Sequence, residues 1–179
     1  MRRRGRPGGR LTGLAAAAGR VVAAGSGPRV HVLEDNGWDT HARQGGGAGV
    51  LGRRLGTLDE ALAAFHRESG PAWARTVIVV VTEFGRTVAA NGTGGSDHGT
   101  ASAMLLAGGA VAGPRIVADW PGLGAAMLYQ GRDLHPTLDT RAVLAAVLRD
   151  HLGLPVDRPD AGVFPALAPA RLPALVRAG

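Results

Sequence analysis

The β-branched run Val77–Val81, inside TVIVVVTEF, does most to limit what this chain can fold into. Successive apolar side chains with no polar alternation leave no strand face for water. The run is therefore expected to be a strand buried on both faces, the habit of parallel sheets. Glu83 follows almost at once. The next loop, NGTGGSDHG at 91–99, carries Gly92, Gly94 and Gly95, and glycine tolerates the backbone angles of a tight return. That return would bring Asp97 and His98 back to the end of the strand.

The flanking segments point to an α/β chain. Leu11–Ala24 is alanine-rich and reads as a helix stopped near Gly25. Arg29–Leu33, RVHVL, reads as a short strand, and EDNGWDTHARQGGG after it as a loop holding Asp39 and His41. Leu51, Leu55, Leu58, Leu62 and Phe65 recur at steps of four and three, one face of a helix over Val50–Ser69 that Gly70-Pro71 ends. Strand, helix, strand implies two parallel strands joined by a right-handed crossover, so both loops would leave the same sheet edge side by side, where open α/β sheets bind ligands. Farther on, Ala103–Ala107 and Arg115–Ala118 read as short strands. Asp119-Trp120-Pro121-Gly122 is a turn with Trp120 as lid or packing residue. Asp139 or Thr140 caps a helix running to Leu152, stopped by Gly153, with Val143, Leu144, Val147, Leu148 and His151 on one face. The proline- and alanine-rich tail from Pro155 is expected to lie over the surface.

Composition removes several classes. The net charge of +6 is local: five of the twenty basic residues lie in MRRRGRPGGR, and the rest of the chain carries +1. All twenty are arginine. Residues 1–10 are expected to be a disordered basic tip before a single domain at 11–179, and the few scattered aromatics form no stacking platform for nucleic acid. No apolar run approaches the roughly 20 residues of a membrane-spanning helix, so no membrane partner is expected. LTGLAAAAG after the basic tip is interrupted by Arg20 and makes a poor export signal, so the chain as it stands reads as cytoplasmic. Without cysteine there is neither disulfide nor thiolate metal site, and any metal must be held by imidazole and carboxylate.

Two elements pair acid with imidazole, Asp39-Thr40-His41 and Asp97-His98. On an extended backbone, residues two apart point the same way, so Asp39 and His41 can grip one ion. Adjacent residues point apart, so Asp97 and His98 suit a site with an ion on either side of a short loop, or one where one of them binds substrate. An Asp-His dipeptide alone is ordinary turn chemistry; two such elements and Glu83 at one edge suggest more. The expected ions are divalent, zinc, manganese or similar, and two of them about 3.5–4 Å apart can clamp the oxygens of a transferred phosphoryl or sulfuryl group. Glu83 is a candidate ligand or base, with a salt bridge to Arg86 as the plain alternative. Arg86 could instead face an anionic substrate. His135 is a structural histidine or a late ligand, and His31, His66 and His151 read as packing or surface residues. Ser96, Asp97 and His98 are consecutive and cannot readily form a linear nucleophile, base and orienter. NGTGGSDHG also lacks the lysine of a phosphate-binding loop.

GWDTH at 37–41, TEFGRT at 82–87, NGTGGSDHG at 91–99, DWPGL at 119–123 and LYQGRDLHPTLDTRAVLAAVLRDHLGL at 128–154 together closely resemble the domain-of-unknown-function 1501 family. Its members look like relatives of the alkaline phosphatase and sulfatase superfamily. That resemblance implies a three-layer α/β/α sandwich with a mostly parallel sheet and a bimetal site, onto which Asp39, His41, Asp97 and His98 map as ligands. The superfamily's nucleophile comes from an earlier strand with no counterpart here. Thr40 or Ser96 could stand in for it, and nothing in the sequence supports either. The resemblance implies the C-terminal half of a longer, exported hydrolase of phosphate or sulfate esters, inactive alone. Its exposed sheet edge would be open to a homodimer or a complementing N-terminal chain. A small anionic ester is the expected substrate, and a non-catalytic remnant or partner subunit is the rival reading.

Overall fold

A computed structural model of the chain describes residues 9–156, 162–168 and 170–177. The basic tip lies almost wholly outside them; Arg10 begins the first helix. The chain divides into two compact units, Met1–Trp73 with Ala90–Asp97, and Ala74–Ala89 with His98–Gly179.

The first unit is a helical hairpin with a loop assembly. Helix α1 spans Arg10–Ala24 and α2 spans Val50–Ser69, each with the bounds its sequence pattern suggests to within a residue. They pack through small side chains. Leu11, Ala15, Ala18 and Gly19 are buried on α1, and Ala61, Ala64, Phe65 and Ser69 on α2. A Cβ at Gly19 would stand 2.8 Å from the Phe65 carbonyl oxygen and 2.9 Å from the Glu68 Cβ, so glycine lets the two helices approach closely. The leucine stripe is therefore not the centre of the contact: Leu55 is half exposed, and the alanines one step round the helix are buried instead. Arg20 and Glu68 pair at 3.2 Å on the exposed rim, where such a bridge contributes little. His66 stacks on Trp73 with ring centroids 4.5 Å apart, a packing role.

The second unit holds the strands. β1 (Ile78–Val80) pairs antiparallel with β4 (Leu105–Ala107), Ile78 opposite Ala107 and Val80 opposite Leu105. β2 (Gly85–Arg86) pairs antiparallel with β3 (His98–Gly99). Helix α3 (Thr140–Leu152) is capped by Asp139, whose side chain accepts from the Arg141 N–H at 2.8 Å, and closed by Gly153 in the left-handed region. Val143, Ala146, Val147 and Leu175 form its core, with Val77, Val79, Met104, Leu106 and Leu172 packed against them. Burying a side chain such as Val147 contributes about 1.5 kcal/mol or more.

These observations overturn the three-layer sandwich and its parallel sheet. The described strands form only two two-stranded antiparallel sheets. The parallel reading required Arg29–Leu33 as a partner strand, and that segment is irregular and belongs to none of the described ladders, with Val32 89% exposed. Without it the helix α2 is not a crossover, and the chain after Val81 returns through a loop to place β4 antiparallel against β1. The Val77–Val81 run is consequently half-buried, with Val81 exposed, rather than covered on both faces. Arg115–Ala118 is likewise not a strand; Ile116 is 94% exposed. Trp120 lies largely exposed two residues before Gly122, whose φ is positive, in a segment without regular structure.

Of the tail from Pro155, residues 157–161, 169 and 178–179 lie outside the described ones; most of the rest is at the surface as expected, with an apolar pair as the exception. Leu175 and Val176 are buried, Val176 bridges Val111, and backbone bonds run from Ala112 N–H to Leu175 O and from Arg177 N–H to Ala110 O. An apolar pair flanked by prolines and alanines thus enters the core rather than lying over it.

Candidate metal centre on a loop zipper

In the first unit, two loops far apart in sequence are laced together by backbone. Arg43 N–H donates to Thr93 O at 3.0 Å, Gln44 N–H to Gly94 O at 2.9 Å, and Ser96 N–H to Thr40 O at 3.2 Å. Ala42 and Gly94 form an antiparallel bridge. The lacing is tight: a Cβ on Gly95 would lie 2.2 Å from the carbonyl carbon and oxygen of His41, so no other residue fits there without moving the loop.

Extended backbone then sorts the side chains onto two faces. Thr40 and Ser96 turn inward and are buried at 8% and 5% exposure. Both hydroxyls donate to the same atom, Oε1 of Gln44, at 2.8 Å and 2.6 Å. Asp39, His41 and Asp97 turn outward. His41 Nε2 stands 3.0 Å from Asp39 Oδ1, and His41 Nδ1 stands 3.2 Å from Asp97 Oδ1. The imidazole is held between two carboxylates, one on each ring nitrogen.

Asn91 underlies the outward face. Its Nδ2 donates to the His41 carbonyl at 2.9 Å and to Asp97 Oδ1 at 3.0 Å. Its Oδ1 accepts from the Thr93 and Gly95 N–H groups, each at 3.0 Å. The Thr93 hydroxyl lies 2.8 Å from the His41 carbonyl oxygen.

The donor set fits a divalent cation of the imidazole-and-carboxylate class. Ligand atoms about 2.0–2.2 Å from one tetrahedral zinc-like ion sit roughly 3.3–3.6 Å from each other, and Asp39 Oδ1 and His41 Nε2, 3.0 Å apart, need separate only slightly to reach that spacing. Asp97 on the other ring nitrogen matches the carboxylate that commonly orients a ligating histidine. All three side chains are about half exposed, which leaves room for water or substrate in the remaining positions.

The other candidates belong to the second unit, which the chain enters at the Asp97–His98 peptide. His98 lies on β3 opposite Arg86 on β2, and its ring stacks on Phe84 with centroids 4.2 Å apart. Glu83 is exposed just beyond β1. His135 packs edge-on against Tyr129 at 5.8 Å.

Three residues escaped sequence reasoning. Gln44 and Asn91 look like loop polars, and nothing in the glycine-rich NGTGG marks which amide will cross-link. Asp133 lies within a recognisable motif without being distinguishable as its buried member. It is 1% exposed, takes Arg132 Nε at 2.8 Å and the Thr100 hydroxyl at 2.9 Å, and bridges Thr87 by backbone. The Arg132 hydrogen bond holds its carboxyl below the usual carboxylate range against the opposing effect of burial.

The fold and the site thus define a helical and short-stranded chain with a loop-built Asp-His-Asp cluster. Residues 15–159 match the family described as protein of unknown function (DUF1501), and the chain belongs to that family. No curated protein and no solved structure matches it. Among the described residues no helix is long and apolar enough to cross a membrane.

Proposed function

We propose that this chain holds a divalent cation on Asp39 and His41, and that the site serves hydrolysis of a small phosphate or sulfate ester. The observation that carries the metal reading is the clamped imidazole, with Nε2 beside Asp39 and Nδ1 beside Asp97. A cation here would act as a Lewis acid on a phosphoryl or sulfuryl oxygen. The sequence likeness to the alkaline phosphatase and sulfatase superfamily supports the ester chemistry.

The chain's own residues bind and orient in this reading, and neither Thr40 nor Ser96 is placed to act as nucleophile. Thr40 and Ser96 are buried and donate to Gln44, which rules both out as positioned attackers. Turnover by this chain alone is therefore expected to be negligible. Its testable property is anion capture: zinc-loaded chain binds orthophosphate or sulfate, and metal-free chain does not. Zinc binding without either anion would remove the ester chemistry and leave only a metal site.

A second reading, a non-catalytic partner subunit, draws on the β1–β4 pair. Two strands of three residues make a marginal sheet, and a further strand from another chain would extend it. Light scattering that shows only monomer at high concentration would count against self-association.

A further inference from the structure

The chain has two asparagines, and glycine follows each: Asn36-Gly37 and Asn91-Gly92. Glycine leaves its own backbone nitrogen uncrowded, because no Cβ obstructs the approach of that nitrogen to the preceding side-chain amide carbon. The two pairs are held in opposite ways. Asn91 is fastened at both ends: Nδ2 donates to the His41 carbonyl at 2.9 Å and to Asp97 Oδ1 at 3.0 Å, and Oδ1 accepts from the Thr93 and Gly95 N–H groups, each at 3.0 Å. Asn36 is exposed, and among the described residues its side chain makes no hydrogen bond. Gly37 has φ +91°, and a Cβ there would collide with the Arg54 guanidinium, so a positive charge lies against this backbone.

We propose that Asn36 is a self-modifying site, converted to aspartyl and isoaspartyl linkages, while the loop zipper shields Asn91. Hydroxide takes the Gly37 amide proton, and the nitrogen then bonds to Asn36 Cγ; the Arg54 charge favours that anion. The tetrahedral carbon expels the side-chain nitrogen, which takes a proton from water and leaves as ammonia, and a five-membered imide remains. Water opens the ring at one of its two carbonyls. Cleavage at Cγ leaves an aspartate in a normal backbone; cleavage at the main-chain carbonyl leaves a backbone that runs through Cγ and is one methylene longer. One water is consumed and one ammonia released, with no change of oxidation state and no metal. Either product sets a new carboxylate three residues before Asp39. The longer one also separates Asp35 from Trp38, whose Nε1 donates to Asp35 Oδ2 at 3.0 Å.

Asn91 reaches the same imide only by surrendering its hydrogen bonds, and the loss of two net bonds slows the step by roughly tenfold or more. The test is to age the full chain at mildly alkaline pH and map its peptides by mass spectrometry, with isoaspartyl forms separated by chromatography. Asn36 should acquire the amide-to-acid mass shift roughly tenfold or more faster than Asn91, and in urea the two rates should converge. Similar rates in the folded chain overturn the proposal. A preference for Asn36 that persists in urea overturns it as well, since sequence rather than fold would then set the difference. Arg54→Met with unchanged circular dichroism should slow the Asn36 reaction and leave Asn91 alone; an equal or faster Asn36 rate overturns the assistance from Arg54.

Discussion

His41 Nε2 and Asp39 Oδ1 stand 3.0 Å apart on one face of a single extended segment, while the residue between them, Thr40, is buried on the other. The alternation of a strand thus operates in a loop that pairs with another loop rather than with a sheet. Chemistry-bearing side chains face out because the small hydroxyls between them face in.

That division predicts separable effects on the two faces. Gln44→Met removes the oxygen that both buried hydroxyls donate to, and should cost about 1–3 kcal/mol in urea unfolding. Zinc affinity of the protein that remains folded should stay within a few-fold of wild type. A large loss of zinc affinity with unchanged stability would mean that Gln44 belongs to the ion site instead.

Gly95→Ala tests the lacing itself. The added methyl meets the His41 carbonyl at 2.2 Å, so the loops must separate, at about 1–3 kcal/mol. Because His41 moves with its carbonyl, metal affinity should fall alongside stability. Thermal unfolding identical to wild type would show that the loops are not packed this closely.

Three carboxyls outside the candidate site set the acid response. Asp133, Asp139 and Asp150 are each held below the ordinary value of 3.8, first of all by hydrogen bonds from Arg132, Arg141 and Arg149 respectively. A folded value below the unfolded one gives stability that is full above about pH 4 and fades as pH falls through the folded value. The pairs of Asp139 and Asp150 are exposed enough for salt to screen them, so added salt should blunt their share of the acid loss. A melting temperature that is flat from neutral pH down to well below pH 4 would contradict this.

Loss of the α3 cap is a separate matter. Asp139→Ala leaves the Arg141 N–H without its side-chain acceptor and should lower stability by about 1 kcal/mol, with Asp139→Ser recovering most of it. Equal melting temperatures for the alanine and serine variants would argue that the cap contributes nothing.

The helices were legible because their signals are local. Gly25 and Gly153 stop α1 and α3, Gly70-Pro71 stops α2, and each pattern needs nothing beyond its own neighbours. The sheet was not legible because strand pairing is a choice among distant segments. Val77–Val81 reads as a buried parallel strand only if Arg29–Leu33 lies beside it, and no local feature of Val30 or Val32 reveals that both stay exposed. The sequence reading puts Asp39, His41, Glu83, Asp97 and His98 at one parallel-sheet edge; the described strands form no such sheet, and Asp39 and His41 lie near Asp97 through an antiparallel zipper of two loops instead. The i and i+2 spacing of Asp39 and His41 was the informative part, since it depends only on extended backbone. Asn91 and Gln44 left no trace in the sequence because an amide's importance lies in what crosses to it, here from some fifty positions away.

The central claim is that His41 is a metal ligand, and zinc titration of the full chain beside His41→Ala tests it most directly. Wild type should bind zinc, and His41→Ala should lose that affinity by about 100-fold or more while keeping its helical circular dichroism. Equal isotherms for the two folded proteins would contradict the account.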